Sequence, residues 1–243
     1  MKQGLLAGIF TIIACGVPAL AADMALKAPP TAPAPYSWTG CYLGGNIGAG
    51  WANNKINDVT VVPNVNTGSD TGTGVVGGGQ VGCDYQSSNQ WVVGIQAMFD
   101  GAGIKGSHRY IGPTASADET LTTKTRSFAT LTGRIGYAVM PQALLYLKGG
   151  AAWAGENYTD VDPTVPYSGQ ANATRRGWTI GAGAEYAFLP DWSAFVEYDY
   201  IGLGNRNATL TYSPAGTFTY NEKNNLQTFL VGLNYRFRGL AGR

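Results

Sequence analysis

The feature that most constrains the fold is a run of eight stretches in which apolar and polar residues alternate, separated by connections of two different lengths. The last stretch, Leu226–Phe237, carries on one face Gln227, Phe229, Val231, Leu233, Tyr235 and Phe237. A period of two is typical of β-strands, because successive side chains leave opposite faces of a sheet. The eight stretches are Trp38–Trp51, Gly74–Gln86, Trp91–Asp100, Arg126–Tyr137, Leu144–Gly155, Arg176–Phe188, Trp192–Ile201 and Leu226–Phe237.

The connections alternate between long and short along the chain. The short ones are Ser87–Gln90, Val139–Gln142 and Leu189–Asp191, and the long ones are Asn53–Thr73, Gly101–Thr125, Glu156–Arg175 and Gly202–Asn224. Outer-membrane barrels combine short periplasmic turns with long extracellular loops, and their closure leaves no sheet edge unpaired in lipid. The pattern predicts an all-β fold, an eight-stranded antiparallel up-and-down transmembrane β-barrel with long extracellular loops and short periplasmic turns.

The composition separates this fold from a soluble one. Charged residues make up 13% of the chain, against about 25% in an average soluble domain. Aromatic residues gather near the strand ends, as the girdles of a membrane barrel do. A soluble lipocalin-type barrel is the structural rival, and it would place apolar side chains inside and polar ones outside. The net charge of +1 gives no reason to expect a nucleic-acid partner.

The N-terminus has the features of a secretory signal peptide. Lys2 supplies the positive charge, Leu5 to Val17 forms the apolar run, and Ala19-Leu20-Ala21 gives a small-x-small cleavage pattern. We therefore expect residues 1–21 to be a signal peptide, followed by an Ala/Pro-rich periplasmic segment (22–37) outside the fold, the barrel (38–237) and a C-terminal tail (238–243). This organisation predicts export to the periplasm and residence in the outer membrane of a Gram-negative cell.

Charged residues recur on the faces predicted to point into the barrel. They are Arg126, Arg134, Lys148, Glu185, Glu197, Asp199 and Arg236, together with Asp84 and Asp100. An eight-stranded barrel is wide enough only for side chains to fill it, and buried charges need partners. Two interpretations follow: a salt-bridged plug, or a narrow path for ions along the same charges.

Other residues that could carry chemistry are few. Cys41 and Cys83 fall on the lipid face of adjacent strands near their periplasmic ends, so they could form a cross-strand disulfide or remain two free thiols. His108 is the sole histidine, and no nucleophile motif accompanies it. We therefore predict no catalytic, cofactor-binding or metal-binding residues, and we interpret His108 as a solvated loop residue. Glycines on both strand faces are interpreted as allowing the curvature of a small barrel.

Several stretches resemble the small outer-membrane proteins of brucellae and rhizobia, a family of OmpA-like eight-stranded barrels often described as porin family. The similar segments are Trp38–Gly48, Gly77–Gly82, Gly133–Tyr137 and Gly177–Phe188 with Trp192, Glu197 and Tyr198. The resemblance covers roughly Trp38 to Phe237 and implies an integral envelope protein. It also implies that Tyr235 and Phe237 belong to the C-terminal signal of the barrel-assembly machinery, although six residues follow Phe237 here.

The expected function is structural and interactive: envelope integrity together with contacts at the cell surface. Its expected partners are outer-membrane lipids and lipopolysaccharide, the barrel-assembly machinery, and peptidoglycan or host surface molecules. A narrow porin for ions or small solutes is the main alternative. A barrel enzyme is a third, which the lack of a histidine-centred constellation disfavours.

Overall fold

The fold is a closed barrel of eight antiparallel strands joined in chain order, seen in a computed structural model that describes residues 36–58, 65–109, 120–161, 168–212 and 216–237. The strands are β1 (Gly40–Asp58), β2 (Val65–Gln86), β3 (Trp91–Arg109), β4 (Thr120–Met140), β5 (Ala143–Val161), β6 (Ser168–Ala187), β7 (Trp192–Tyr212) and β8 (Gly216–Phe237). The predicted fold class is confirmed. No helix in the described ranges is long and apolar enough to cross a membrane.

The barrel closes between its first and last strands. β1 pairs with β8 from Cys41 opposite Phe237 to Asp58 opposite Tyr220. The three short turns lie together at one end, between β2 and β3, β4 and β5, and β6 and β7. Because the strand number is even, both ends of the described barrel chain also lie there. We refer to this end as the periplasmic end and to the opposite one as the outer end.

The strands run farther towards the outer end than the alternation predicts. They contain 19–22 residues each, and much of every predicted long loop continues the ladder. Thr120–Thr125, for example, pairs with both β3 and β5. Threonine is β-branched and suits an extended ladder even where both faces are polar. The predicted loop boundaries are therefore wrong, because apolar alternation marks only the part of a strand that faces lipid.

The two faces of the strands have opposite character, as a membrane barrel requires. Large apolar side chains such as Leu43, Phe99 and Ile180 are more than half exposed on the outer surface. At the periplasmic end, aromatic rings pack edge-on in the pairs Trp91–Tyr137 at 5.5 Å, Trp192–Tyr235 at 5.2 Å and Tyr235–Phe237 at 5.1 Å. This arrangement is the reverse of a lipocalin and matches a barrel in lipid.

The residues just before β1 correct the predicted position of the N-terminal segment. Trp38 is fully buried rather than part of an exposed aromatic girdle, and Tyr36 packs edge-on against it at 4.9 Å. The Trp38 backbone N–H donates to Gln86 Oε1 at 2.8 Å, and its indole N–H donates to the carbonyl of Pro141 at 3.2 Å. Tyr36 and Ser37 therefore adjoin the barrel, whereas residues 22–35 and the predicted signal peptide lie outside the described residues.

Candidate functional site within the barrel

Four charged side chains from the even-numbered strands form a ring in the periplasmic half of the barrel. Arg134 forms two contacts with the Asp84 carboxylate, one of them from Nε at 2.7 Å, and its Nη1 lies 3.2 Å from Glu185 Oε2. Arg236 completes the ring, with Nη1 3.0 Å from Asp84 Oδ2 and Nη2 3.6 Å from Glu185 Oε1. All four are at most 6% exposed. Each charge therefore faces opposite charges on both sides, which offsets its desolvation.

A second group of charges centres on Lys148 of β5. Its ammonium nitrogen lies 2.5 Å from Glu197 Oε1 and 3.1 Å from Asp199 Oδ2, both on β7. The Tyr146 hydroxyl donates to the other Glu197 oxygen at 2.8 Å. One ammonium group thus contacts two buried carboxyl groups.

Amide side chains join the two groups into one network. Lys148 lies 3.4 Å from Gln96 Oε1, and Gln96 donates to Gln80 at 2.9 Å. Gln80 donates to Asn234 at 2.7 Å, and Asn234 donates to Glu185 at 3.0 Å. Ser193 also donates to Glu185, at 2.6 Å. We call these residues the core network: Asp84, Arg134, Glu185, Arg236, Lys148, Glu197, Asp199, Tyr146, Gln96, Gln80, Asn234 and Ser193.

Two tyrosine rings pack against the Arg134 guanidinium. The ring centroids of Tyr42 and Tyr146 lie 4.8 and 4.9 Å from its central carbon, within the range of a cation–π contact. Both rings lie across glycines. A Cβ on Gly82 would stand 2.4 Å from the Tyr42 hydroxyl, and one on Gly183 would stand 2.4 Å from Tyr146 Cζ. These glycines thus leave room for the rings, which is a more specific reason than strand curvature.

An apolar layer fills the barrel between the core network and the outer end. It consists of Ala52, Val76, Met98, Ile104, Phe128, Ala152, Ala154, Ile201, Leu203, Leu226 and Leu230, each at most 3% exposed. Beyond it, Arg175 Nε lies 2.6 Å from Glu156 Oε2, and Asn224 hydrogen-bonds the same carboxylate. The interior of the barrel therefore also contains a buried apolar cluster, which the predicted inward charges alone do not describe. Strand alternation does predict that these apolar residues point inward, because Val76, Phe128 and Leu230 lie on the same strand faces as the charged residues.

The interior therefore has the chemistry of a plug. From the periplasmic end, Trp38, the core network and the apolar layer follow one another. Among the described residues, no group of three or more His, Cys, Asp or Glu side chains is arranged to hold a metal ion. What the site can do is hold the strands in register and obstruct the passage of water and ions.

The comparisons with known proteins agree with this architecture. A family model described as "Outer membrane protein beta-barrel domain" matches residues 18–237. The chain belongs to the outer membrane protein beta-barrel family. It is similar to the "31 kDa outer-membrane immunogenic protein" of Brucella melitensis, 35% identical over 98% of this chain and 100% of that protein. It is 32% identical to the "25 kDa outer-membrane immunogenic protein" of the same species, over 90% of this chain and 91% of that one.

Solved structures share the fold of this beta-barrel family member. The Escherichia coli outer membrane protease OmpT superposes with a TM-score of 0.52 at 10% identity, over 83% of this chain and 98% of that one. The Pseudomonas aeruginosa outer membrane protein OprG gives 0.51 at 13% identity, over 82% and 96%. At these identities the likeness concerns fold alone. Together with the Brucella relatives, it places the chain in the outer membrane of a Gram-negative bacterium.

The structure of the family member places most of the predicted interior charges in the core network. Arg134, Lys148, Glu185, Glu197, Asp199 and Arg236 are all at most 4% exposed. The prediction is wrong at Arg126, which is exposed. The ladder between β4 and β5 shifts register between Thr125 and Ser127, so Arg126 is the extra residue of a β-bulge and leaves the inward face.

The predicted disulfide partners lie directly opposite each other. Cys41 of β1 pairs with Cys83 of β2 in the ladder, and their sulfurs are 2.08 Å apart, at bonding distance. Both side chains are on the outer surface near the periplasmic end. The two residues predicted as the assembly signal, Tyr235 and Phe237, are also on that surface, 37% and 40% exposed.

Charge alone misses the residues that connect the network. Gln80, Gln96, Asn234 and Ser193 lie on inward faces and carry the hydrogen bonds between charged groups. Tyr42 and Tyr146 are inward and buried, and they cover Arg134. The available signal is position, because each of these residues except Tyr42, whose predicted strand has no charged residue, has the same parity as an inward charge on its own strand.

Proposed function

We propose that the protein is a non-conducting barrel that supports the integrity of the outer membrane and presents its outer end to molecules outside the cell. The observation that carries this proposal is the filled interior. The apolar layer adds a second obstruction to the charged one, and an ion crossing it would lose its hydration among Phe128, Ile201 and Leu230. A narrow porin would need a polar path at this level.

The surface role draws on the relatives and on the shape of the strands. The Brucella proteins carry the word "immunogenic" in their names, which fits molecules that are accessible at the cell surface. In this chain, all eight strands extend past the apolar band towards the outer end. We extend the proposal to the expected partners: lipopolysaccharide and outer-membrane lipids, peptidoglycan or host surface molecules, and the barrel-assembly machinery through Tyr235 and Phe237.

We also infer that the protein is not an enzyme. The relatives are named as immunogenic outer-membrane proteins rather than as enzymes. The likeness to a protease rests on 10% identity and concerns the fold alone. The sole histidine, His108, lies in β3 rather than in the loop predicted for it.

Single-channel recording distinguishes the proposed non-conducting barrel from the alternative of a narrow porin. The protein is refolded, checked by the heat-dependent shift of its gel mobility, and added to a planar lipid bilayer beside a general porin as positive control. We expect the folded protein to produce no regular conductance steps. Reproducible steps that change in a Glu185→Gln variant would overturn the proposal, because the core network would then line an ion path.

A further inference from the structure

Two buried carboxyl groups of β7 face a single ammonium group. Glu197 and Asp199 are two positions apart on the inward face of the strand, and each is 1% exposed. Lys148 Nζ lies 2.5 Å from Glu197 Oε1 and 3.1 Å from Asp199 Oδ2. The two carboxyl groups are also within hydrogen-bonding distance of each other. We call Glu197 and Asp199 the acid pair.

The other buried cations are engaged elsewhere in the barrel. Arg134 and Arg236 both belong to the ring at the periplasmic side, where two carboxylates contact them. Arg175 lies beyond the apolar layer and contacts Glu156. Among the buried side chains that the structure describes, Lys148 therefore supplies the positive charge that contacts the acid pair.

The remaining lysines and arginines of the strands lie away from the acid pair. Four are exposed on the outer surface, namely Lys105, Lys124, Arg126 and Arg176. Four more belong to the parts of their strands that lie beyond the apolar layer, namely Lys55 of β1, Arg109 of β3, Arg206 of β7 and Lys223 of β8. No described side chain thus brings a second positive charge to the acid pair.

The two strands next to β7 present no charged side chain directly opposite the acid pair. On β6 the opposite positions are the glycines Gly181 and Gly183. On β8 they are Thr228 and Leu230. Across the barrel, the charged and titratable groups that act on the acid pair or on its hydrogen-bond partner Tyr146 are Lys148 and Tyr146 of β5, Asp100 of β3, Arg134 of β4 and Glu185 of β6.

One ammonium group offsets the charge of one carboxylate. A second carboxylate in this enclosed place would be a buried ion without a cation of its own, which is very costly. Carboxyl groups this close in low-dielectric surroundings share a proton instead of ionising together. No described N–H or O–H group donates to Asp199 Oδ1, so this oxygen is available to carry that proton.

We propose that the acid pair binds one proton at neutral pH and forms with Lys148 a proton-linked clamp between β5 and β7. The clamp then contains one ammonium, one carboxylate and one carboxylic acid, and it has no net charge. It crosses β6 at Gly181, which is opposite Lys148 in one ladder and opposite Asp199 in the other. A Cβ at Gly181 would overlap Asp199 Oδ1, so the glycine provides the room for the crossing. This inference adds a pH-dependent element to the closed barrel.

The clamp makes the stability of the barrel depend on pH. Carboxyl groups of an unfolded chain are ionised above about pH 5, so the folded state holds one proton that the unfolded state lacks. Stability then falls as the pH rises, and the unfolding equilibrium constant grows about tenfold per pH unit. The fall continues until the folded acid pair has also released its proton, which leaves an uncompensated negative charge between β5 and β7.

Urea titration of the refolded full chain in phosphatidylcholine vesicles tests the clamp. Asp199→Asn and Glu197→Gln each leave one carboxylate beside Lys148, so neither variant needs the proton. Between about pH 6 and about pH 7, the unfolding constant of the wild type should therefore rise about tenfold more than that of either variant. Glu185→Gln is the matched control, because the Glu185 carboxylate faces two guanidinium groups and needs no proton. It should keep the pH dependence of the wild type.

Infrared spectra of the folded protein give a second measurement, which does not require the variants to be equally stable. The C=O stretching band of a protonated carboxyl group should be present at neutral pH in the wild type and in Glu185→Gln. It should be weaker in Asp199→Asn and in Glu197→Gln. Equal pH dependence of stability in the wild type and both variants of the acid pair would overturn the proposal, as would an unchanged band.

A bound metal cation is the competing way to neutralise the acid pair. Stabilisation of the wild type by sodium ions, but not by an equal concentration of a large organic cation, in place of the pH dependence would assign such a cation and overturn the proton. The outcome is independent of the conductance test. A silent barrel without the pH difference would refute the clamp and leave the closed-barrel function standing, and a conducting barrel with the pH difference would do the opposite.

Discussion

Arg236 and Trp38 are 198 positions apart in the chain and together close the periplasmic mouth of the barrel. The Arg236 Nη1 donates to the Trp38 carbonyl at 2.5 Å, and its guanidinium lies 5.3 Å from the centroid of the indole ring. The same guanidinium belongs to the core network through Asp84. Trp38 is thus held in the mouth by Arg236, which belongs to the core network. In this way the last strand holds the segment that precedes the first strand.

Trp38→Ala should weaken the barrel far more than the same substitution at the exposed Trp91. Trp38 packs with Tyr36, Val92, Ala138, Leu144 and Tyr146 in one buried cluster. Its truncation leaves a cavity and should cost about 3–5 kcal/mol. Trp91 is 50% exposed, so Trp91→Ala should cost clearly less. Urea titration followed by the heat-dependent gel shift measures both, and equal losses would show that Trp38 does not seal the mouth.

The two aspartates of the inner faces of β2 and β3 should respond in opposite directions to neutralisation. Asp84 contacts both Arg134 and Arg236, so Asp84→Asn leaves two buried guanidinium groups undercompensated and should cost about 3–5 kcal/mol. Asp100 is fully buried, its carboxylate forms no salt bridge among the described residues, and the Asn46 side chain is its polar neighbour. Lys148, the cation that acts electrostatically on Asp100, already contacts Glu197 and Asp199.

Asp100→Asn should therefore stabilise the barrel, on the order of 1–3 kcal/mol, because it removes an unpaired buried charge while keeping the shape. The same urea titration at neutral pH shows whether Asp100→Asn raises or lowers the free energy of unfolding. Equal stability of the wild type and Asp100→Asn would mean that the carboxyl group is already neutral in the folded state, and a loss would mean that it has a partner.

The sequence predicts those features of the fold and of the core network that follow from strand alternation and turn residues. Strand number and the short turns follow from alternation and turn residues, and Trp91 and Trp192 both begin strands where they were expected. Alternation also assigns the inward face, which is why Lys148 and Glu185 could be named. A bulge leaves no signal in alternation. Arg126 has the parity of Arg134, but it is itself the extra residue of the bulge between Thr125 and Ser127 and therefore does not share the inward face.

Other features escape the sequence because they depend on packing across the barrel. Leu226 and Leu230 share a face with Thr228 and Asn234, and only closure brings them against Phe128 and Met98 to form a layer. Trp38 is an aromatic residue at a strand end, as girdle residues are. Its indole N–H instead donates to the carbonyl of Pro141, which is 103 positions away in the chain. Alternation is a local rule, so it cannot report such contacts.

Two glycines of neighbouring strands should differ sharply when replaced by alanine. A Cβ at Gly82 would stand 2.4 Å from the Tyr42 hydroxyl and 2.7 Å from the Ile95 carbonyl oxygen. Gly82→Ala should therefore displace the ring over Arg134 and cost about 1–3 kcal/mol. A Cβ at Gly45 faces outward with its nearest atom 3.7 Å away, so Gly45→Ala should be neutral or slightly stabilising. Urea midpoints compare the two, and a tolerated Gly82→Ala would argue against close packing of Tyr42.

The pairing of Cys41 with Cys83 predicts an oxidised protein without free thiols at these positions. The bond would enclose a sequence separation of 42 residues and should stabilise the barrel by up to about 4 kcal/mol. Thiol counting on the unfolded, unreduced mature protein checks the bond, and a Cys41→Ser variant serves as control because it should release one reactive thiol. Two reactive thiols in the wild type would mean that the pair is reduced.

The orientation of the barrel predicts which single cysteines can be reached from outside the cell. Ser69 is exposed near the outer end of β2, whereas Ser88 is exposed in the turn between β2 and β3 at the periplasmic end. A membrane-impermeant maleimide should label Ser69→Cys on intact cells and should label Ser88→Cys only after the outer membrane is permeabilised. The wild type, without an introduced cysteine, serves as the control for background labelling. Labelling of Ser88→Cys alone on intact cells would mean that the barrel has the opposite orientation and would remove the basis of the surface role.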